Sequence, residues 1–229
     1  MTFKKLSAGL VAVLVLAAAP VQGASVKIGF VTTLTTPAGV IGRDMRDAVN
    51  LALEDIGNKM GRLDVEMIFE DDGFKPEIGK QKTDKLVQKD NVDFVAGYIW
   101  SHVLLASRKS VLDAGKFLIS SNAGPSQLAG KLCNKNFFST SWQNDQTPMA
   151  MGEVLNQRGV KSLYVIAPNY AAGKNMVSGV QRTHGRHQTQ RAIGLPTSVY
   201  HFAGIGYHTH LRRHVVGGSH VRSSIFCCD

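Results

Sequence analysis

The sequence predicts an α/β fold built on a parallel sheet. Strand onsets near residues 26, 63, 92 and 117 alternate with helical stretches, the rhythm of successive βα units. The third of these strands, Val92 to Ile99, is almost wholly apolar, as expected of a strand covered on both faces. The strands also end in loops of small polar residues, the place where open α/β sheets hold ligands.

Val26 to Val31 is the first strand, followed by the hydroxyl-rich loop Thr32 to Gly39. A helix is expected from about Arg43 to Ile56, because Met45, Ala48, Val49, Ala52 and Ile56 recur on one face of a 3.6-residue period. Leu63, Val65, Met67 and Phe69 alternate as a second strand, closed by Glu70-Asp71-Asp72. Pro76 opens the next helix, which runs to about Lys89. After the third strand, Ser101 caps a helix reaching Ala114, with His102 just inside it, read as a surface residue. Phe117 to Ser120 is the fourth strand. It opens into Ser121-Asn122-Ala123-Gly124, and Pro125 and Ser126 read as the start of a short helix with Ser126 as its cap. Phe137 to Trp142 is extended, and a helix with Met151, Val154 and Leu155 inward ends at about Arg158. Ser162 to Ala167 is a further strand, Pro168 to Gly173 its loop, and Met176 and Val177 begin the last helix of this pattern.

The chain opens with Lys4 and Lys5, an apolar run from Leu6 to Ala19, and small residues around Gly23 and Ala24. That is the layout of a secretory signal peptide over residues 1–24, with export to the periplasm expected. The formal charge of +9 does not indicate a nucleic acid partner. Residues 24–183 hold 19 Lys and Arg against 16 Asp and Glu, a nearly balanced surface with no basic run, and the rest of the excess lies in Lys4, Lys5 and the tail. Cys133 is read as an inert thiol, with a bridge to Cys227 or Cys228 as the alternative in an exported chain.

Five stretches, in order, carry a family resemblance. They are Lys27-Ile-Gly-Phe with Pro37 and Gly42, Glu70-Asp-Asp with Pro76, and Val95 to Ser101, then Ile119 to Leu128 and Ile166 to Gly173. Over residues 26–183 the chain resembles the periplasmic leucine/isoleucine/valine-binding proteins, the solute receptors of ABC importers with the type I periplasmic binding fold. The resemblance implies a doubly wound first lobe over residues 25–141, a hinge crossing near Thr140 to Trp142, and the start of a second lobe over 142–183. It implies a small-molecule ligand (an amino acid or small organic acid), the membrane subunits of an importer as partners, and no cofactor. It places Ser101 at the ligand carboxylate, Asn122, Ala123 and Gly124 on the carboxylate and ammonium loop, and Tyr170 as the second-lobe aromatic cover. Two departures weaken an α-amino acid as ligand: Gly124 stands in place of the usual Thr, and Ile41 where an aromatic residue often lines the pocket.

After Thr183 the composition changes. Residues 184–229 contain no Lys and seven of the eight His, and His208 to His214 shows neither helical nor strand periodicity. The resemblance is expected to end there, the second lobe to be incomplete, and 184–229 to be an aberrant, disordered tail such as a shifted reading frame produces. The competing function is a metal-dependent enzyme using Asp71, Asp72 or the late His residues.

Overall fold

The computed structural model describes residues 24–184 and, beyond them, the backbone of 189–192 and 197–203. Six strands form the first sheet: β1 (Ser25–Thr32), β2 (Lys59–Met60), β3 (Leu63–Asp71), β4 (Phe94–Gly97), β5 (Phe117–Ser120) and β6 (Phe137–Ser139). Their order is β2-β3-β1-β4-β5-β6. All neighbours run parallel except β2 on β3, a short antiparallel edge pair. The order reverses between β1 and β4, because β1 pairs with β3 on one side and β4 on the other. In such a sheet the crevice outside the C-terminal ends of those two strands is where ligands sit.

Helices α1 (Gly39–Asp55), α2 (Pro76–Gln88) and α3 (Ser101–Leu112) connect the strands. The core is packed under α2 and α3, where Val31, Leu86, Val95, Val103, Leu104 and Leu118 are fully buried. By contrast α1 stands off the sheet. A cleft of about 220 Å³ lies between Val49, Leu53 and Ile56 on the helix and Ile28, Phe30 and Met67 on the strands. Ile56, expected inward, is therefore 48% exposed.

The third strand is shorter than its apolar run suggests. It ends at Gly97 because Gly97 (φ 106°) and Tyr98 (φ 63°) turn into left-handed backbone. Tyr98 stays fully buried by sending its hydroxyl to Thr83 Oγ1 at 2.7 Å, while Thr83 donates to the Gly79 carbonyl. Helix α1 begins four residues before the predicted start. Gly39 and Gly42 allow it, since a Cβ at Gly42 would lie 1.8 Å from the Thr33 carbonyl oxygen. The predicted short helix is a 3-10 turn, Ser126–Ala129, and Ser126 forms no side-chain cap.

The second sheet has the order β7-β9-β8, with β7 (Ser162–Pro168), β8 (Thr189–Ala192) and β9 (Thr197–Ala203) all antiparallel neighbours. Helices α4 (Gln146–Gln157) and α5 (Ala171–His184) pack on each other. The expected inward set on α4 is corrected: Met151 is 54% and Val154 40% exposed. The reason is Gly152. A Cβ there would meet Thr183 Oγ1 at 2.1 Å, so α4 turns its smallest face to α5 and its larger side chains outward.

The expectation of no regular structure after residue 183 is also corrected, at two places. Helix α5 includes His184, and β9 pairs along the whole of β7, from Ser162 opposite Ala203 to Pro168 opposite Thr197. The Thr-Ser-Val-Tyr-His-Phe-Ala run of β9 is rich in β-branched and aromatic residues, which suit a pleated surface. The His208 to His214 run lies outside the described residues, as do residues 1–23. Cys133 is disulfide-bonded rather than an inert thiol, with its partner outside the described residues. A bridge of this kind suits an oxidising compartment. Among the described residues no helix is long and apolar enough to cross a membrane.

Candidate functional site

The loops after β1, β3, β4 and β5 meet at the crevice, and the acidic triplet ending β3 organises them. Glu70 turns away to a pair of lysines, with Lys82 at 2.7 Å and Lys85 at 2.6 Å. Burial alone would raise its carboxyl, but the two lysines outweigh it and hold the group below its ordinary value. Asp71 accepts from the Leu34 amide (2.8 Å), the Thr35 hydroxyl (2.5 Å) and the Gly73 amide (3.0 Å), and so fixes the β1–α1 loop. Asp72 is fully buried and accepts from the Thr33 hydroxyl (2.5 Å) and the Phe74 amide (2.8 Å). Burial raises the Asp72 carboxyl.

This arrangement counts against Asp71 and Asp72 as metal ligands. The three carboxylates point to different partners, each bound by groups of its own chain. Among the described residues no three His, Cys, Asp or Glu side chains gather around one point.

Glu70 gives a pH prediction. A carboxyl held low in the folded state stabilises above its unfolded value of 4.5, and that contribution is lost as pH falls through the folded value. Glu70→Gln is expected to cost about 1 kcal/mol near neutral pH, since both lysines are partly exposed. The variant should lose less stability than the parent between about pH 6 and about pH 3. Denaturant melts at both values check this, and parallel pH profiles would refute it.

Ser101 is the first residue of α3 and is only 2% exposed. Its Oγ accepts from Asn144 Nδ2 at 2.9 Å, which leaves its own proton free to donate. Asn144 Nδ2 also reaches Asn175 Oδ1 at 3.4 Å, and that oxygen accepts from the Ser126 amide at 3.2 Å. Ser101 thus sits at the junction of the two halves. Asn122 sends its Nδ2 to the Ile99 carbonyl at 3.0 Å, and the Ala123 amide donates to Tyr98 O at 3.0 Å. These two hold the β5 loop to the β4 loop. Gly124 lies directly on the connection between the halves, where a Cβ would come within 1.8 Å of the Trp142 carbonyl oxygen. Ile41 is 45% exposed on the first turn of α1.

Tyr170 closes a ring of aromatic side chains. Phe74 meets Trp100 edge-on at 4.7 Å and His102 at 5.2 Å. Tyr170, just before α5, meets the same two, His102 at 5.2 Å and Trp100 at 6.3 Å. Burial lowers the His102 imidazole and raises the Tyr170 phenol, which favours the neutral form of each. Trp100 and Tyr170 directly precede α3 and α5, so two helix N-termini lie beside this ring, and both favour an anion.

Sequence reading had singled out Ser101, the Asn122–Gly124 loop and Tyr170. It missed Phe74 and Trp100 as site residues, set His102 aside as a surface residue, and did not single out Asn144 or Asn175. The signal for the aromatic ring was present only as aromatic residues adjoining strand-end loops.

A family model described as periplasmic binding protein matches residues 25–196. The match ends at residue 196, a short way past residue 183, the expected end of the resemblance. A Leu/Ile/Val-binding protein of Rhizobium johnstonii is 26% identical over 80% of this chain and 50% of its own length. A Leu/Ile/Val-binding protein homolog of Brucella abortus is 23% identical over 88% of this chain and 52% of its own. This chain therefore spans about half the length of the curated relatives it matches. Among solved structures, an ABC-transporter solute binding protein from R. palustris in complex with benzoate is 27% identical, with a TM-score of 0.63 over 70% of this chain and 44% of that one. The branched-chain amino acid binding protein of Streptococcus pneumoniae, in complex with isoleucine, shares the fold at 18% identity and a TM-score of 0.59. These relatives are named as binding proteins, not enzymes. With three quarters of its length matched in one continuous stretch, the chain belongs to the periplasmic binding protein family, with the type I fold its sheet order displays.

Proposed function

We propose that this chain carries the ligand-gathering half of an exported solute receptor that takes a small aromatic carboxylate and delivers it to an ABC importer. The observation that carries this reading is the ring of Phe74, Trp100, His102 and Tyr170 beside the N-termini of α3 and α5. Flat aromatic walls suit a planar ring, and helix N-termini suit its carboxylate. Ser101 would donate its free hydroxyl proton to the anion, with the Asn122–Gly124 loop as floor, Ile41 at the pocket's edge and Tyr170 as cover. The benzoate-bound R. palustris neighbour supports the aromatic choice. The glycine at position 124 weakens the α-amino acid reading, because no hydroxyl is there to meet an ammonium. An amino acid remains the second reading, favoured by the Leu/Ile/Val-binding names of the curated relatives. Residues 1–24 would act as the export signal, placing the mature chain in the periplasm. No cofactor enters this reading.

The test is an NMR titration of the 229-residue chain with benzoate and, separately, with leucine. A few hydrogen bonds in competition with water contribute about 0.5–1.5 kcal/mol each, against a cost of at least about 4 kcal/mol for lost ligand freedom. Burying the flat benzoate ring adds about 3 kcal/mol. Three bonds at the upper end then leave a net of about 3.5 kcal/mol, and benzoate is expected to shift the Ser101, Ala123 and Trp100 amides with a Kd on the order of 3 mM. Leucine should act only at higher concentration. Tighter binding of leucine would favour the second reading. Unmoved amides at about 10 mM of either solute would count against both.

A further inference from the structure

Asp72 is a fully buried carboxylate whose donors are both neutral. Burying such a group is costly unless it is well hydrogen-bonded. Burial also pushes its protonation upward, in keeping with that cost.

Oδ1 alone accepts both donors, the Thr33 hydroxyl at 2.5 Å and the Phe74 amide at 2.8 Å, while Oδ2 has no protein partner. Thr33 spends its proton on Asp72, so its lone pair is open, and the Trp100 indole N–H donates to it at 2.8 Å. The direction of the chain is thus fixed, from Trp100 to Thr33 to Asp72. On the other branch, Phe74 holds left-handed backbone, with φ of 68°, a conformation uncommon for an aromatic residue. Its amide bond to Asp72 holds it there. The two aromatic residues tied to this one oxygen are the pair that meet edge-to-face at 4.7 Å and 81°.

We propose that Asp72 is a positioning residue whose Oδ1 sets the Phe74 and Trp100 rings relative to each other, and so determines which solute shapes the cleft accepts. Loss of the Thr33 link frees the indole to swing, and loss of the Phe74 link releases the loop that carries its ring. The role of these rings in solute choice rests on the proposed function, whereas their dependence on Asp72 does not.

The experiment reads the rings directly, by hydrogen exchange of the ¹⁵N-labelled 229-residue chain. Trp142 is 52% exposed, and its indole serves as the internal reference. The Trp100 indole N–H and the Phe74 amide are expected to exchange at least ~100-fold more slowly than the Trp142 indole. Thr33→Val should bring the Trp100 indole to the Trp142 rate and leave Phe74 protected, and Thr33→Ser should restore it. Asp72→Ala should release both together, with the Val95 amide still protected as evidence that the core is intact. Should Asp72→Ala not fold, the parent and the Thr33 pair decide. A Trp100 indole exchanging like Trp142 in the folded parent overturns the proposal, and so does unchanged protection in Thr33→Val. Slow Trp100 exchange in a chain that ignores benzoate would count against the solute reading and leave Asp72 in its role.

Discussion

Gly124→Thr is expected to destabilise the protein by about 3 kcal/mol, and not to improve solute binding. The substitution would add the hydroxyl that the resemblance implies at this place. The obstacle is geometric. A Cβ on residue 124 would lie 1.8 Å from the Trp142 carbonyl oxygen and 3.2 Å from the Gln143 Cα, all of it backbone. The same segment is tied down by the Asn144 amide, which donates to the Gly124 carbonyl at 2.8 Å. Neither side can give way as a flexible side chain would. The connection between the halves has to move, and with it Asn144, the partner of Ser101. For a chain of this size the melting temperature should fall by roughly 6–12 °C. Gly124→Ala should show most of the effect, because the clash begins at Cβ. An unchanged melt with tighter solute binding would mean that the loop carries a side chain freely.

Leu86→Ala is expected to cost about 2–5 kcal/mol, against a total stability of about 5–15 kcal/mol for a typical domain. Leu86 is fully buried on α2 and belongs to the same core as Val31, Val95 and Leu104. It fills the space over Gly29 of β1, where an added Cβ would come within 2.7 Å of its Cδ1. Glycine on the strand and leucine on the helix are therefore complementary, and truncating the leucine leaves a void no neighbouring side chain reaches from β1. Denaturant melts with an unchanged m-value check the loss. A cost under about 1 kcal/mol would show that α2 settles onto the sheet and closes the cavity.

Much of the first half was legible because local burial repeats with the period of the element. The alternation of Leu63, Val65, Met67 and Phe69 marks β3, and Pro76 marks the start of α2, as found. The errors fall where a neighbour distant in sequence overrides the local pattern. The apolar run through Tyr98 and Ile99 reads as strand, but a left-handed turn at Gly97 and Tyr98 ends β4. Met151 and Val154 read as an inward face, but Gly152 presses α4 onto α5 and turns them out. The β9 strand was missed because the tail was judged by its His-rich run, not by the β-favouring residues from Thr197 to Ala203.

By itself, the sequence determined the order of elements, the parallel character of the first sheet, the loops that face the crevice and the family. Each of these depends on residues close together along the chain or on motifs in a fixed order. The partners of those loops were decided only by the tertiary structure. Asp72 reads as a candidate metal ligand until Thr33, 39 residues away, is seen to bind it, and Trp100 joins Thr33 across 67 residues. Ser101 reads as a lone hydroxyl at a helix start until Asn144, 43 residues on, is seen to donate to its oxygen and leave its proton free. Such bonds leave no periodic trace, because they depend on the path of several loops at once rather than on the repeat of any one helix or strand.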